Sequence, residues 1–163
     1  MRKAIKIVPL LAIGFFAATS NKVLATPSSY ELWSGDASGE IMYINGNGDT
    51  SYFHPFSPWY ARVDYLGPYA DTVNGHWCAN EHPGGDSIWG HLWGRRNKTT
   101  GAIYNGGWDC HYGLLGSVWG HWGGTWPRLT TAGDSADVAD GWWTCLGGGS
   151  GGGSMKGKGH GIP

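Results

Sequence analysis

Three groups of side chains in this 163-residue chain have the types and spacing to do chemistry. His76, Cys78 and His82 form an H-x-C-x3-H pattern that the Cys110-His111 pair could complete to a four-ligand set by supplying one more ligand. Zinc takes such ligands, but its sites usually contain tight C-x2-C or H-x3-H pairs, which are absent here. Glu81, Asp86 and Asp109 are carboxylates in glycine-rich surroundings, and a glycosidase requires two carboxylates across a sugar cleft. Asp and Glu at turns also serve turn geometry and solubility. No G-x-S-x-G, H-E-x-x-H or Cys-His nucleophile signature accompanies them. In W-D-C-H, residues 108–111, the adjacent Cys110 and His111 point to opposite faces of a strand. No catalytic residue, metal or cofactor is assigned.

The third group repeats. S-I-W-G-H-L-W-G (87–94) recurs as S-V-W-G-H-W-G-G (117–124), thirty residues later. As a strand, the first copy puts Ser87, Trp89, His91 and Trp93 on one face and Ile88, Gly90, Leu92 and Gly94 on the other. The second sets Ser117, Trp119 and His121 against Val118, Gly120, Trp122 and Gly124. The aliphatic face is the natural core. Flat aromatic rings beside hydrogen-bonding groups suit a sugar, which offers an apolar C–H face ringed by hydroxyls. The candidate ligand-binding set is Trp89, His91, Trp93, Trp119 and His121, with Asp86 and Asp109 as polar partners. The preceding E-H-P-G-G (81–85) resembles the axial-ligand motif of the cytochrome b5 family over those five residues. That family holds its haem between helices, whereas a strand pattern follows here. Pro-Gly-Gly is independently a turn signal, so the segment reads as a turn between strands.

The elements that position these residues read as all-β. A second recurring piece precedes each cysteine: V-N-G-H-W-C (73–78), Y-N-G-G-W-D-C (104–110) and A-D-G-W-W-T-C (139–145), with I-N-G-N-G-D (44–49) as a worn fourth copy. Asn-Gly and Asp-Gly are hairpin-turn signals, because both turn positions take positive φ. Residues 60–66 alternate, with Ala61, Val63 and Tyr65 opposite Tyr60, Arg62 and Asp64. The expected fold is a small single-domain sandwich or barrel of pseudo-repeated hairpins, its turns at the Asn-Gly and Asp-Gly pairs.

Boundaries follow from composition. Arg2, Lys3 and Lys6, then the apolar run Ile7 to Thr19 and Val23-Leu24-Ala25, read as a secretory signal helix over 1–25. Residues 26–146 form the Trp/Gly-rich β domain, holding all eleven Trp and all eight Tyr. The G-G-G-S-G-G-G-S tract and the residues after it, 147–163, read as a disordered Gly-Ser tail resembling an engineered linker. Without the signal the chain has seven basic and twelve acidic residues, a formal charge of −5 with histidine neutral. Such a surface disfavours nucleic acid and anionic lipid, and no second apolar run reaches spanning length.

Export to a secreted or periplasmic location implies an oxidising environment. Three cysteines there permit one disulfide and leave one thiol, either inert or a route to a covalent homo-oligomer. The leading functional expectation is a non-enzymatic, lectin-like protein binding carbohydrate or cell-surface glycan. A membrane-active antibacterial toxin and a small polysaccharide or cell-wall hydrolase are the alternatives. The acidic charge weakens the first alternative, and the absent motifs weaken the second.

Overall fold

The computed structural model describes residues 27–44, 47–66, 69–79, 88–110 and 118–163. These residues form eleven β-strands: β1 (Tyr30–Ala37), β2 (Glu40–Ile44), β3 (Thr50–Phe53), β4 (Trp59–Asp64), β5 (Ala70–Ala79), β6 (Ile88–Asn97), β7 (Ile103–Cys110), β8 (Val118–Thr125), β9 (Ser135–Asp137), β10 (Ala139–Gly147) and β11 (Ser150–Ile162). Eight of them close a ring, in the order β1-β4-β5-β6-β7-β8-β10-β11 and back to β1, every pairing antiparallel. The fold is therefore a closed barrel, and the ring has no free edge. The β2–β3 hairpin continues from β11 beyond the end of β1, and β9 pairs with β11 on its other flank.

Directly paired residues lead from His160 on β11 through Leu32, Arg62, Asn74, Trp93, Gly107, His121 and Thr144 back to β11 at Gly152. The stagger is eight residues. Eight strands with a shear of eight tilt by about 36° and leave an interior that side chains fill.

Tryptophan fills it. Seven of the eleven indoles are fully or almost fully buried: Trp33, Trp59, Trp77, Trp108, Trp122, Trp126 and Trp143. One packing device occurs three times. An indole from one strand crosses a glycine on the next and donates its Nε1–H to a carbonyl one strand further on. Trp77 on β5 crosses Gly90 on β6 to the Asp109 carbonyl of β7 at 3.0 Å. Trp108 on β7 crosses Gly120 on β8 to the Thr144 carbonyl of β10 at 3.1 Å. Trp143 on β10 crosses Gly153 on β11 to the Ser38 carbonyl beyond β1 at 2.9 Å. A Cβ at Gly90, Gly120 or Gly153 would lie 1.7–1.9 Å from that carbonyl oxygen and 2.7–2.8 Å from the indole Nε1, so only glycine fits. The three rings surround Phe56, whose centroid lies 4.9–5.8 Å from theirs. Trp33, Trp59 and Trp122 gather in the same way around Trp126.

This device overturns the expected disordered tail. Residues 150–162 are β11, which closes the barrel between β10 and β1. Aligned on the socket glycine, S-G-G-G-S-M-K-G (150–157) is a third copy of the two Trp/His strands. In the sequence Ser150 aligns with Ser87 and Ser117, Gly153 with Gly90 and Gly120, and core Met155 with Leu92 and Trp122. A strand with so few side chains is held because its missing Cβ atoms make room for indoles. A Cβ at Gly159 would lie 2.3 Å from the Trp33 ring, and one at Gly157 would lie 2.4 Å from Trp59.

The expected turns also move. Asn74-Gly75 lies inside β5, and a Cβ at Gly75 would collide with the Tyr60 carbonyl. Asn105 and Asp140 do adopt positive φ, 51° in each, but inside β7 and β10, where they form β-bulges rather than hairpin ends. Asn-Gly and Asp-Gly serve a bulge for the same reason that they serve a turn: one residue must sit at positive φ. The expected signal helix and Asn45-Gly46 lie outside the described residues.

The expected disulfide is absent, and Cys78, Cys110 and Cys145 are all free. Counting from the buried Trp of each repeat explains why. Cys110 and Cys145 follow theirs by two residues and point inward, whereas Cys78 follows Trp77 directly and points outward. Cys110 and Cys145 flank β8 on opposite sides. Two strand spacings put their Cα atoms about 10 Å apart, beyond the roughly 7 Å a disulfide can bridge.

One end of the interior carries charge. Arg96, Glu31 and Asp71 are each 0% exposed. Arg96 donates to both Glu31 carboxylate oxygens at 2.6 and 2.8 Å, and to Asp71 Oδ2 at 2.7 Å. Glu31 also accepts from Trp33 Nε1 at 2.7 Å and the Leu129 amide at 2.8 Å. The Tyr65 hydroxyl sits between Glu31 Oε1 and the Leu129 carbonyl. Burial disfavours the charged guanidinium, but hydrogen bonds and attraction from Glu31, then Asp71, outweigh it and hold the Arg96 pKa above its usual value.

Candidate functional site

The alternation read in the two W-G-H segments holds. On β6, Ile88, Gly90, Leu92 and Gly94 are buried while Trp89, His91 and Trp93 face out. On β8, Val118, Gly120 and Trp122 are buried while Trp119 and His121 face out. Trp89, Trp93, Trp119 and Trp142 are each 44–47% exposed, so every one of them shows part of its ring to solvent.

The outer rings also rest on glycine. Trp93 is paired with Gly107, Trp142 with Gly123 and Trp119 with Gly147, and a Cβ at these glycines would lie 2.2–2.7 Å from the indole above. Each ring is thereby pinned against its neighbouring strand instead of swinging freely. Trp93 leans over β7 from β6, and Trp142 leans over β8 from β10. Between them runs a groove of about 590 Å³ with a glycine floor, His121 and the bulge residue Asn105. The bulge at Asn105-Gly106 sits opposite Gly94, one residue past Trp93 in the register, which is how a structural irregularity comes to shape the groove.

Beside the groove, His91 and Asp109 form a fixed pair. The His91 amide donates to Asp109 Oδ1 at 2.8 Å, and His91 Nδ1 lies 3.2 Å from the same oxygen. A proton on Nδ1 satisfies that contact. Trp89 stands edge-on to His91, with centroids 5.5 Å apart. Further round, His91 pairs across the strands with His76, whose ring lies tilted against Tyr60.

The structure thus brings Trp93, Trp119 and His121 to one groove and Trp89, His91 and Asp109 to its flank, while Asp86 lies outside the described residues. Trp142 and Asn105 were missed. Trp142 was legible, because it precedes the buried Trp143 and alternation turns it outward. Asn105 was hidden by its reading as a turn.

The other chemical patterns do not assemble. Among the described residues no three His, Cys, Asp or Glu side chains converge as metal ligands. His76 and Cys78 face outward whereas Cys110 is inside, so the four-ligand set is split by the barrel wall, and His82 and His111 lie outside the described residues. Burial first, then the charges of Asp109 and Cys145, push the Cys110 thiol up to about 12, and burial raises Cys145 as well. Neither is a nucleophile at neutral pH. A larger depression of about 730 Å³ along β1, β9 and β11 is lined by serines and by the charges of Asp36, Asp137, Lys156 and Lys158, with no aromatic ring. Among the described residues no helix is long and apolar enough to cross a membrane. The chain matches no known protein family, no curated protein and no solved structure.

Proposed function

We propose that this is an exported, non-enzymatic glycan-binding protein that holds sugar rings against the outward tryptophans of β6, β8 and β10. One observation carries the reading. The third repeat strand, β11, keeps the socket glycine and core residue but has Gly152 and Ser154 where the others have Trp and His. The barrel therefore does not need outward Trp and His at those positions, and their presence on β6 and β8 calls for another reason.

Stacking on sugar supplies it. An indole pinned on a glycine bed loses little side-chain freedom on binding, so more of the contact energy appears as affinity. The apolar C–H face of a sugar covers the ring, while His121 and Asn105 stand where hydroxyls would emerge. Removing one such ring costs about 2 kcal/mol, or roughly thirtyfold in affinity. A secreted or periplasmic location agrees with this reading and rests on the N-terminal sequence alone.

The test is a broad glycan screen read by tryptophan fluorescence and by release of reducing ends. Saturable spectral shifts without turnover, weakened by Trp93→Ala or Trp119→Ala, are expected. Absence of binding at millimolar glycan would remove the proposal, and sugar-independent leakage of liposomes would put a membrane-active protein in its place.

A further inference from the structure

We infer, building on the glycan reading, that the outer face carries two equivalent subsites, one per Trp/His repeat, and so recognises an uncharged polysaccharide of repeating units. In each copy a Trp and a His lie two residues apart on one strand, with an oxygen-bearing side chain beside the His on the next. The first subsite is Trp89 and His91 with Asp109, the second Trp119 and His121 with Thr144. The third repeat has lost both aromatic groups, so the count is two.

Their separation follows from the register. β7 lies between β6 and β8, which puts the copies about 10 Å apart across the sheet. His121 is level with Trp93, two residues along from His91, which adds an offset of about 7 Å along the strands. A single sugar ring cannot reach both subsites, whereas a chain can. A protein that repeats its contact at fixed spacing fits a ligand that repeats too.

Charge selects among such chains. The charged side chains on the outward face of β6, β7, β8 and β10 among the described residues are Arg95, Asp109 and Asp140, and Asp109 is already engaged by His91. A face with so few cations gives no purchase to uronates, sulfated sugars or anionic lipid.

The experiment is calorimetric titration with the disaccharide and hexasaccharide of the β-1,4-linked glucose and N-acetylglucosamine series. The wild type, Trp89→Ala, Trp119→Ala and the double variant are compared, with circular dichroism to show that each is folded. In at least one series the wild type is expected to take two disaccharides per chain, each single variant one and the double variant none. The hexasaccharide should bind at least about tenfold tighter than the disaccharide, an advantage that either single variant abolishes. One disaccharide per chain with equal affinity for both lengths would overturn the two-subsite inference and leave glycan binding standing. No binding in either series, or a dimer of the chain that Trp119→Ala dissociates, would overturn it, and with no hit in the broad screen the glycan reading goes too.

Discussion

Arg96→Met isolates the polar end of the barrel. Methionine fills much of the same volume and takes away the donors that Arg96 gives to Glu31 and Asp71. The two carboxylates are not equally exposed to the loss. Asp71 keeps Lys98 Nζ and Arg128 Nε, each 3.5 Å away. Among the described residues Glu31 keeps only neutral donors, from Trp33, Leu129 and Tyr65, so its charge is left buried with no counter-ion among them. Breaking a buried pair by removing one partner costs about 3–5 kcal/mol, out of a typical total of about 5–15. For a domain of this size that corresponds to a fall of roughly 6–20 °C in Tm. Urea and thermal unfolding followed by near-UV circular dichroism would measure it. Glu31→Gln in the Arg96→Met background removes the orphaned charge, keeps one acceptor oxygen for the Leu129 amide at the expense of the Trp33 contact, and should recover about half the loss. A single-variant cost below about 1 kcal/mol, or no recovery in the double variant, would show that Glu31 is not a buried charge held by Arg96.

Ending the chain at Gly147 removes β11, opens the ring and uncovers the sockets of Trp33, Trp59 and Trp143. This variant should show no cooperative unfolding transition, whereas a true tail would be dispensable. Native protein treated with a thiol reagent at pH 8 should be modified at the outward Cys78, with Cys110 and Cys145 reacting only in denaturant; peptide mapping distinguishes these outcomes. Alkali should destabilise the fold in a defined window. The Cys110 and Tyr65 pKa values rise from 9.0 and 10.0 to about 12, chiefly through burial, so the unfolded chain releases their protons first. Their contribution is therefore complete below about pH 9 and lost as pH rises towards 12, which urea midpoints across that range would show.

Alternation made the outer face legible. Ile88, Leu92 and Val118 mark the core side of β6 and β8, and that places Trp89, His91, Trp93, Trp119 and His121 outside without any structure. β11 was opaque because glycine has no side chain to declare a face. Its one readable trace is M-K-G-K-G-H-G (155–161), where Lys156, Lys158 and His160 alternate with buried or half-buried positions. The Asn-Gly pairs misled because positive φ is shared by turns and bulges, and only the pairing register separates them. The cysteines misled because one residue between Trp and Cys reverses the side to which the thiol points. That detail is plain in W-C, W-D-C and W-T-C once the buried Trp is known to be the fixed point. Barrel closure itself depends on contacts between the two ends of the chain, such as Tyr30 with Ile162, which no local pattern announces.

The most direct measurement is a titration of the best glycan from a broad screen against the wild type and against the Trp89→Ala/Trp119→Ala double variant. Calorimetry supplies the affinity and urea unfolding the stability. Binding by the wild type, abolished in a double variant with an unchanged unfolding midpoint, is the expected result. A double variant that binds as tightly as the wild type would place recognition elsewhere and contradict the role given to the tryptophan face.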